Sequence, residues 1–228
     1  MIAALATTFP GASVSDPSPA PQNIYEVPDF APLHPGQYSI EPDYDSPTSP
    51  RVLYTITAPG WTQWIGAWKD DEGPGNRGVG ISIAVVTNLV TDGCNDHGPL
   101  DPSVGPTVDD LATALAALEP FEVSEPPSAV TIYGYRGTHL TLTIPEMPHD
   151  FVGGEAQLTD CPSGVKSWIA PPLSYAFYGY TRPGQIEEFW ILEVERVRLM
   201  ISAIYFLESP HEHVTEMHAI LDSIQIEP

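Results

Sequence analysis

Phe189-Trp190-Ile191-Leu192-Glu193-Val194-Glu195-Arg196-Val197-Arg198-Leu199-Met200-Ile201-Ser202-Ala203-Ile204-Tyr205-Phe206 is the stretch that decides the fold class. Branched aliphatic and aromatic side chains dominate residues 189–194 and again residues 197–206, and such side chains suit the pleated, packed surface of a sheet. Similar runs occur at residues 53–57, 79–87, 129–133 and 139–144. Gly and Pro punctuate residues 73–78 and 134–137, as turns between neighbouring strands require.

Helical periodicity is confined to two places. Thr107 precedes Asp109 and Asp110, so it reads as an N-cap with two acids in the first turn, where the helix dipole favours them. Leu111, Leu115 and Leu118 then form one apolar stripe. The second helix opens at Ser209-Pro210-His211-Glu212, which predicts a Ser209 cap, Pro210 in the first turn and Glu212 closing a capping box. Val214, Met217, Leu221 and Ile224 line its buried side, and a short strand is expected over residues 224–226. Strands outnumber helices and the helices lie far apart, which gives an α+β class: an antiparallel β-sheet flanked by helices.

The first fifty residues hold ten of the 26 prolines and no Lys or Arg. Proline excludes long helices, so residues 1–34 are expected to be a Pro-rich disordered leader, with a single domain over residues 35–228. Met1-Ile2-Ala3-Ala4-Leu5-Ala6 is apolar but lacks a basic n-region; it reads either as the trailing end of a signal peptide or as a trimmed start.

Thirty acidic residues against eight basic ones give a net charge of −22. Such a surface repels phosphate backbones and anionic headgroups, so nucleic acid and polybasic membrane attachment are excluded as partners. Solubility is the ordinary meaning of that charge; it leaves room for a cationic partner, such as a cationic protein, or for a metal cation. No apolar run of roughly eighteen residues marks a membrane span.

The segments Tyr54-Thr55-Ile56-Thr57-Ala58-Pro59-Gly60-Trp61 and Ala219-Ile220-Leu221-Asp222-Ser223-Ile224-Gln225-Ile226 resemble the opening and closing segments of secreted PsbP/Mog1-like domains. Gly36-Gln37-Tyr38, residues 105–111, Gly134-Tyr135-Arg136-Gly137, Pro183-Gly184-Gln185-Ile186 and Trp190-Ile191-Leu192 are similar to a group of uncharacterised secreted or lipid-anchored actinobacterial domains. The resemblance spans residues 36–228 and implies a PsbP/Mog1-like sandwich and an extracellular or cell-surface location. It implies no activity. The group carries an Asp-Gly-like turn where this chain reads Glu195-Arg196. Because tight hairpins favour positive φ, a longer turn with frayed strand ends is expected here.

Cys94 and Cys161 both lie in polar, turn-like segments, and an oxidising compartment favours their pairing. Such a bridge adds about 4 kcal/mol in the chain-entropy picture. Asp92-x-Cys94-x-Asp96 has the wrong residues for a calcium loop, and Asp96 with His97 lacks zinc spacing. His211, His213 and His218 fail the i, i+4 test on their helix. No metal or other cofactor is therefore expected, and no Gly-x-Ser-x-Gly, phosphate loop or dinucleotide fingerprint points to catalytic residues.

Aromatic residues remain. In strand geometry Trp64 and Trp68 share a face and Trp61, next to the Pro59-Gly60 turn, faces inward. With Tyr178, from the stretch Tyr175, Tyr178 and Tyr180, they are the candidate ligand-binding residues, two aromatic segments meeting at one end of the sheet to take a glycan or other small molecule. A structural role in the core is the plainer reading of the same residues. The function expected is a non-catalytic extracytoplasmic binding or sensor module; the alternative is a secreted hydrolase using a carboxylate pair.

Overall fold

The computed structural model describes residues 20–43, 45–71, 77–95, 98–152, 155–161, 164–170, 176–180 and 183–227. In chain order the elements are β1 (Gln22–Asn23), a 3-10 turn at Ile24–Glu26, β2 (Pro32–Leu33), β3 (Gly36–Ile40), β4 (Arg51–Ile56), β5 (Trp61–Trp64), β6 (Gly66–Lys69), β7 (Val79–Val85) and β8 (Asn88–Leu89). Then follow α1 (Val108–Ala116), β9 (Glu122–Ile132), β10 (Tyr135–Thr143), β11 (His149–Val152), β12 (Glu155–Leu158), β13 (Val165–Ile169) and β14 (Ala176–Tyr180). The last elements are β15 (Gln185–Val194), β16 (Val197–Phe206), α2 (His211–Asp222) and β17 (Gln225–Glu227). The pairing is mostly antiparallel, with two α-helices among the described residues.

The centre is an eight-stranded sheet in the order β2-β5-β6-β7-β16-β15-β10-β9. Its middle strands alternate between two cores. Ile81, Ile83, Leu199, Ile201, Leu192 and Val194 face one way and bury themselves against the four-stranded sheet β1-β3-β4-β17 and the Met217, Ile220 and Leu221 stripe of α2. Ala84, Met200, Phe189, Ile191, Leu140 and Leu142 face the other way, against Leu111 and Leu115 of α1 and Val165 and Trp168 of β13. Two-sided burial explains why β7 and β16 read as near-continuous apolar runs.

Local chemistry explains the helix starts. Thr107 Oγ1 accepts from the Asp110 amide while Asp110 accepts from the Thr107 amide, a reciprocal capping box. These bonds hold the Asp110 carboxyl below the usual carboxylate range. At α2 the expected cap is corrected: Pro210 is the N-cap and no side chain caps the helix. Ser209 Oγ instead accepts from the Phe206 amide at 2.9 Å and donates to the Arg77 carbonyl at 2.8 Å, so it closes the β16–α2 turn. The Arg198 guanidinium donates to the carbonyls of Val86, Thr87 and Gly105, tying the segment before α1 to the sheet.

Two further expectations are corrected. The β15–β16 turn is not longer: Val194 pairs with Val197, and Glu195 and Arg196 take φ of 48° and 77°. Two L-residues thus accept a left-handed turn because the ten register pairs between β15 and β16 hold it closed. Nor are residues 20–34 part of a disordered leader. Residues 1–19 lie outside the described residues, but residues 20–34 belong to the fold. Ile24 is fully buried, Leu33 is 2% exposed, and both join the first core. Proline density misleads here because it forbids helices but not short edge strands; Pro32 opens β2 at the sheet's edge, where its missing N–H costs little.

Cys94 and Cys161 form a disulfide with Cα atoms 4.7 Å apart. It ties the turn after β8 to the segment between β12 and β13.

Candidate functional site

The Trp61–Lys69 stretch forms a hairpin, with Thr62 opposite Trp68 and Trp64 opposite Gly66. Period two then sorts the indoles. Trp61 is fully buried in the first core, and its Nε1 donates to Glu216 Oε2 at 3.1 Å. Lys69 meets the same carboxylate at 2.6 Å, so one acid on α2 locks the hairpin down.

Trp64 and Trp68 point to the opposite face and are half-buried. Trp68 lies against the backbone of β7. A Cβ at Gly78 or Gly80 would stand 2.7 Å or 2.5 Å from its ring, so these two glycines make the seat for the indole. Its Nε1 donates to Asp70 at 2.8 Å.

Trp64 has a neighbour from residues 20–34. Phe30 stands 5.3 Å from it, ring centroid to centroid, at a 38° tilt. Strand β2 brings it there: Pro32 pairs with Thr62 and Leu33 with Trp61. The Ala31 amide donates to the Pro28 carbonyl, closing a turn in which Phe30 takes φ 60°. Its amide donates to Gln63 Oε1 at 3.3 Å. Gly or Asn is the residue such a position favours. Phenylalanine there costs on the order of 1 kcal/mol in backbone strain, and the ring is 66% exposed, so burial does not offset it. Sequence reading missed Phe30 because it lay within the expected leader; the signal available was an aromatic at the third position of a Pro28-Asp29-Phe30-Ala31 turn.

Of the other aromatic segment, Tyr178 belongs to β14, whose side chains lie outside the described parts, and Tyr175 lies outside the described residues altogether. Asp96 and His97 do so too. Carboxylates from separate strands do converge elsewhere: Glu125 of β9 and Glu188 of β15 lie 3.8 Å and 4.0 Å from the two ring nitrogens of His139 on β10.

No family model matches the chain, and neither a curated protein nor a solved structure does.

Proposed function

We propose that the chain is a non-catalytic binding module of PsbP/Mog1-like architecture, working outside the cytoplasm, that takes a sugar ring or an amphipathic small molecule on the surface of Phe30, Trp64 and Trp68. Phe30 carries this reading. An aromatic ring that is both exposed and held at positive φ contributes nothing to the core and strains its own backbone, whereas it adds an apolar face beside Trp64. Strain of this kind gathers at ligand sites, and aromatic faces with nearby polar groups such as Asp70 suit sugars. The Cys94–Cys161 disulfide supports an oxidising compartment. Among the described residues no helix is long and apolar enough to cross a membrane.

The test is the Phe30→Gly variant, screened with Trp64→Ala and Trp68→Ala against a panel of glycans and detergent monomers. Glycine relieves the strain, so this variant melts higher while binding weakens about two- to tenfold, the loss of one stacking contact. Unchanged binding in all three variants refutes the reading.

A further inference from the structure

The edge strands of the two larger sheets are very unequal. Strands β1 and β2 are two residues long and β17 is three, while β9, the last strand of the eight-stranded sheet, runs for eleven. A short edge offers an incoming chain little to pair with; a long one is a template for a further strand. Residues 122–129 are all exposed, so among the described residues nothing covers this edge. The run Ser128-Ala129-Val130-Thr131-Ile132 also has side chains that suit a strand.

Two interruptions lie in the long edge. From Glu125 to Ser128 is three residues, while their partners Thr141 and His139 on β10 are two apart. From Val123 to Glu125 is two, while their partners Leu142 and Thr141 are adjacent. Strand β9 therefore carries an extra residue at each place, and each is a β-bulge that bends and twists the strand. Pro126-Pro127 fill the first, and neither has an N–H to give to a ninth strand. At the second, the Ser124 and Thr143 hydroxyls share a hydrogen bond that fastens the kinked segment to β10. Residues 128–132 are the longest regular piece left, five residues beside the hairpin turn. Glu122 and Glu125 place like charge along the rest, a further obstacle to pairing.

The first bulge does nothing for the chain's own packing. Both prolines are exposed, and Leu140 pairs with Phe189 on one side but has no register partner on β9. A ladder position is given up where no core is gained. We infer that Pro126-Pro127 and their bulge close the β9 edge to strand addition, and that the partner they keep out is a second copy of this chain. Two β9 strands related by a twofold axis would pair antiparallel and join two eight-stranded sheets into one, with the same patch on both sides. The net charge of −22 repels a copy at long range. Salt screens that repulsion beyond about 8 Å at physiological ionic strength, so at contact the backbone decides.

The test is sedimentation velocity on the full, disulfide-bonded chain at physiological salt and at about 0.5 M salt, where the repulsion between copies is further screened. No ligand is involved, so the outcome is independent of glycan binding at Phe30. From about 10 μM to about 1 mM the parent should stay a monomer, whereas Pro126→Thr with Pro127→Val, which restores two N–H groups, should move towards the dimer mass. In that dimer the amides of residues 128–131 should exchange at least about tenfold more slowly than in the parent. Both positions are exposed, so the fold should survive; Pro127→Val alone, the milder change, should dimerise more weakly through the same amides. Variants that stay monomeric throughout overturn the inference, as does a dimer whose β9 amides exchange as before. So does a parent that dimerises with slowed β9 amides, because its edge would then be open.

Discussion

The two ends of the eight-stranded sheet reach exposed chemistry by different routes. At the β2–β5–β6 end, a segment from outside the hairpin lays Phe30 beside Trp64, at the cost of a left-handed phenylalanine. At the β9–β10–β15 end no outside segment is needed: a bulge shifts the register and brings Glu125 into line with Glu188. The first route concentrates strain in one φ angle. The second needs no strained aromatic, only the extra residue at Pro126-Pro127. An aromatic end so built depends on residues 20–34 staying docked, while the acidic end depends only on its own ladder.

That dependence can be broken most forcefully at Ile24. Ile24→Ala should lower stability by about 3 kcal/mol in denaturant melts, the usual cost of a cavity in a closed core; a loss below about 0.5 kcal/mol would show that residues 20–34 are not anchored. Next comes Glu216→Gln. The Lys69 and Glu216 side chains are only 12% and 15% exposed, so the ammonium is left against Trp61 without its counter-charge, held by the Pro59 carbonyl and a neutral amide, and about 2 kcal/mol should be lost. Undiminished stability in urea would mean that the hairpin holds without α2.

A smaller effect separates strain from function. Glu195→Asn with Arg196→Gly relieves the other pair of left-handed residues and should stabilise by about 1 kcal/mol, leaving glycan binding as it was. If ligand binding changes with this turn, positive φ is no guide to the aromatic site.

The smallest effect is a pH dependence behind the acidic end, where α1 packs on β10 and Asp109 accepts from Thr138 at 2.5 Å. Asp110 has its folded pKa lowered, mainly by the Thr107 amide and hydroxyl. Its contribution is therefore present above the unfolded carboxylate pKa of about 3.9 and is lost as pH falls through the folded value. Thermal melts of Asp110→Asn and the parent should differ at neutral pH and converge in acid; parallel curves would remove the carboxylate from the cap.

Much of the scaffold was legible because it rests on local periodicity. Residues 197–206 read as a strand and are one, Thr107 reads as a cap and is one, and Trp61 beside its Pro59-Gly60 turn reads inward and is buried. What failed needed non-local information. Ser209 looked like a helix cap, but a carbonyl 132 residues away in sequence, that of Arg77, claims its hydroxyl. Ile24 sits in a proline-rich, polar stretch whose burial depends wholly on the core across from it. Phe30 gains meaning only from Trp64, and Glu125 only from a bulge that no composition signals. Tyr133 was read as a strand end, yet it occupies the turn at φ 54°, and its hydroxyl donates to the Leu221 carbonyl.

The disulfide carries a mechanical consequence. Cys94 and Cys161 are 67 residues apart, and α1 and strands β9 to β12 lie inside the covalent ring they close. Tension applied to the two termini passes through the bridge and bypasses that ring, so about 240 Å of contour length stays hidden until the bond is reduced. Glu125 and His139 ride inside the ring, while Glu188, Tyr205 and the whole aromatic hairpin bear the load. A tether at a cell surface would therefore pull the two ends of the sheet apart in mechanical behaviour: the hairpin would feel force directly, and the bulged edge only through its hydrogen bonds to β15.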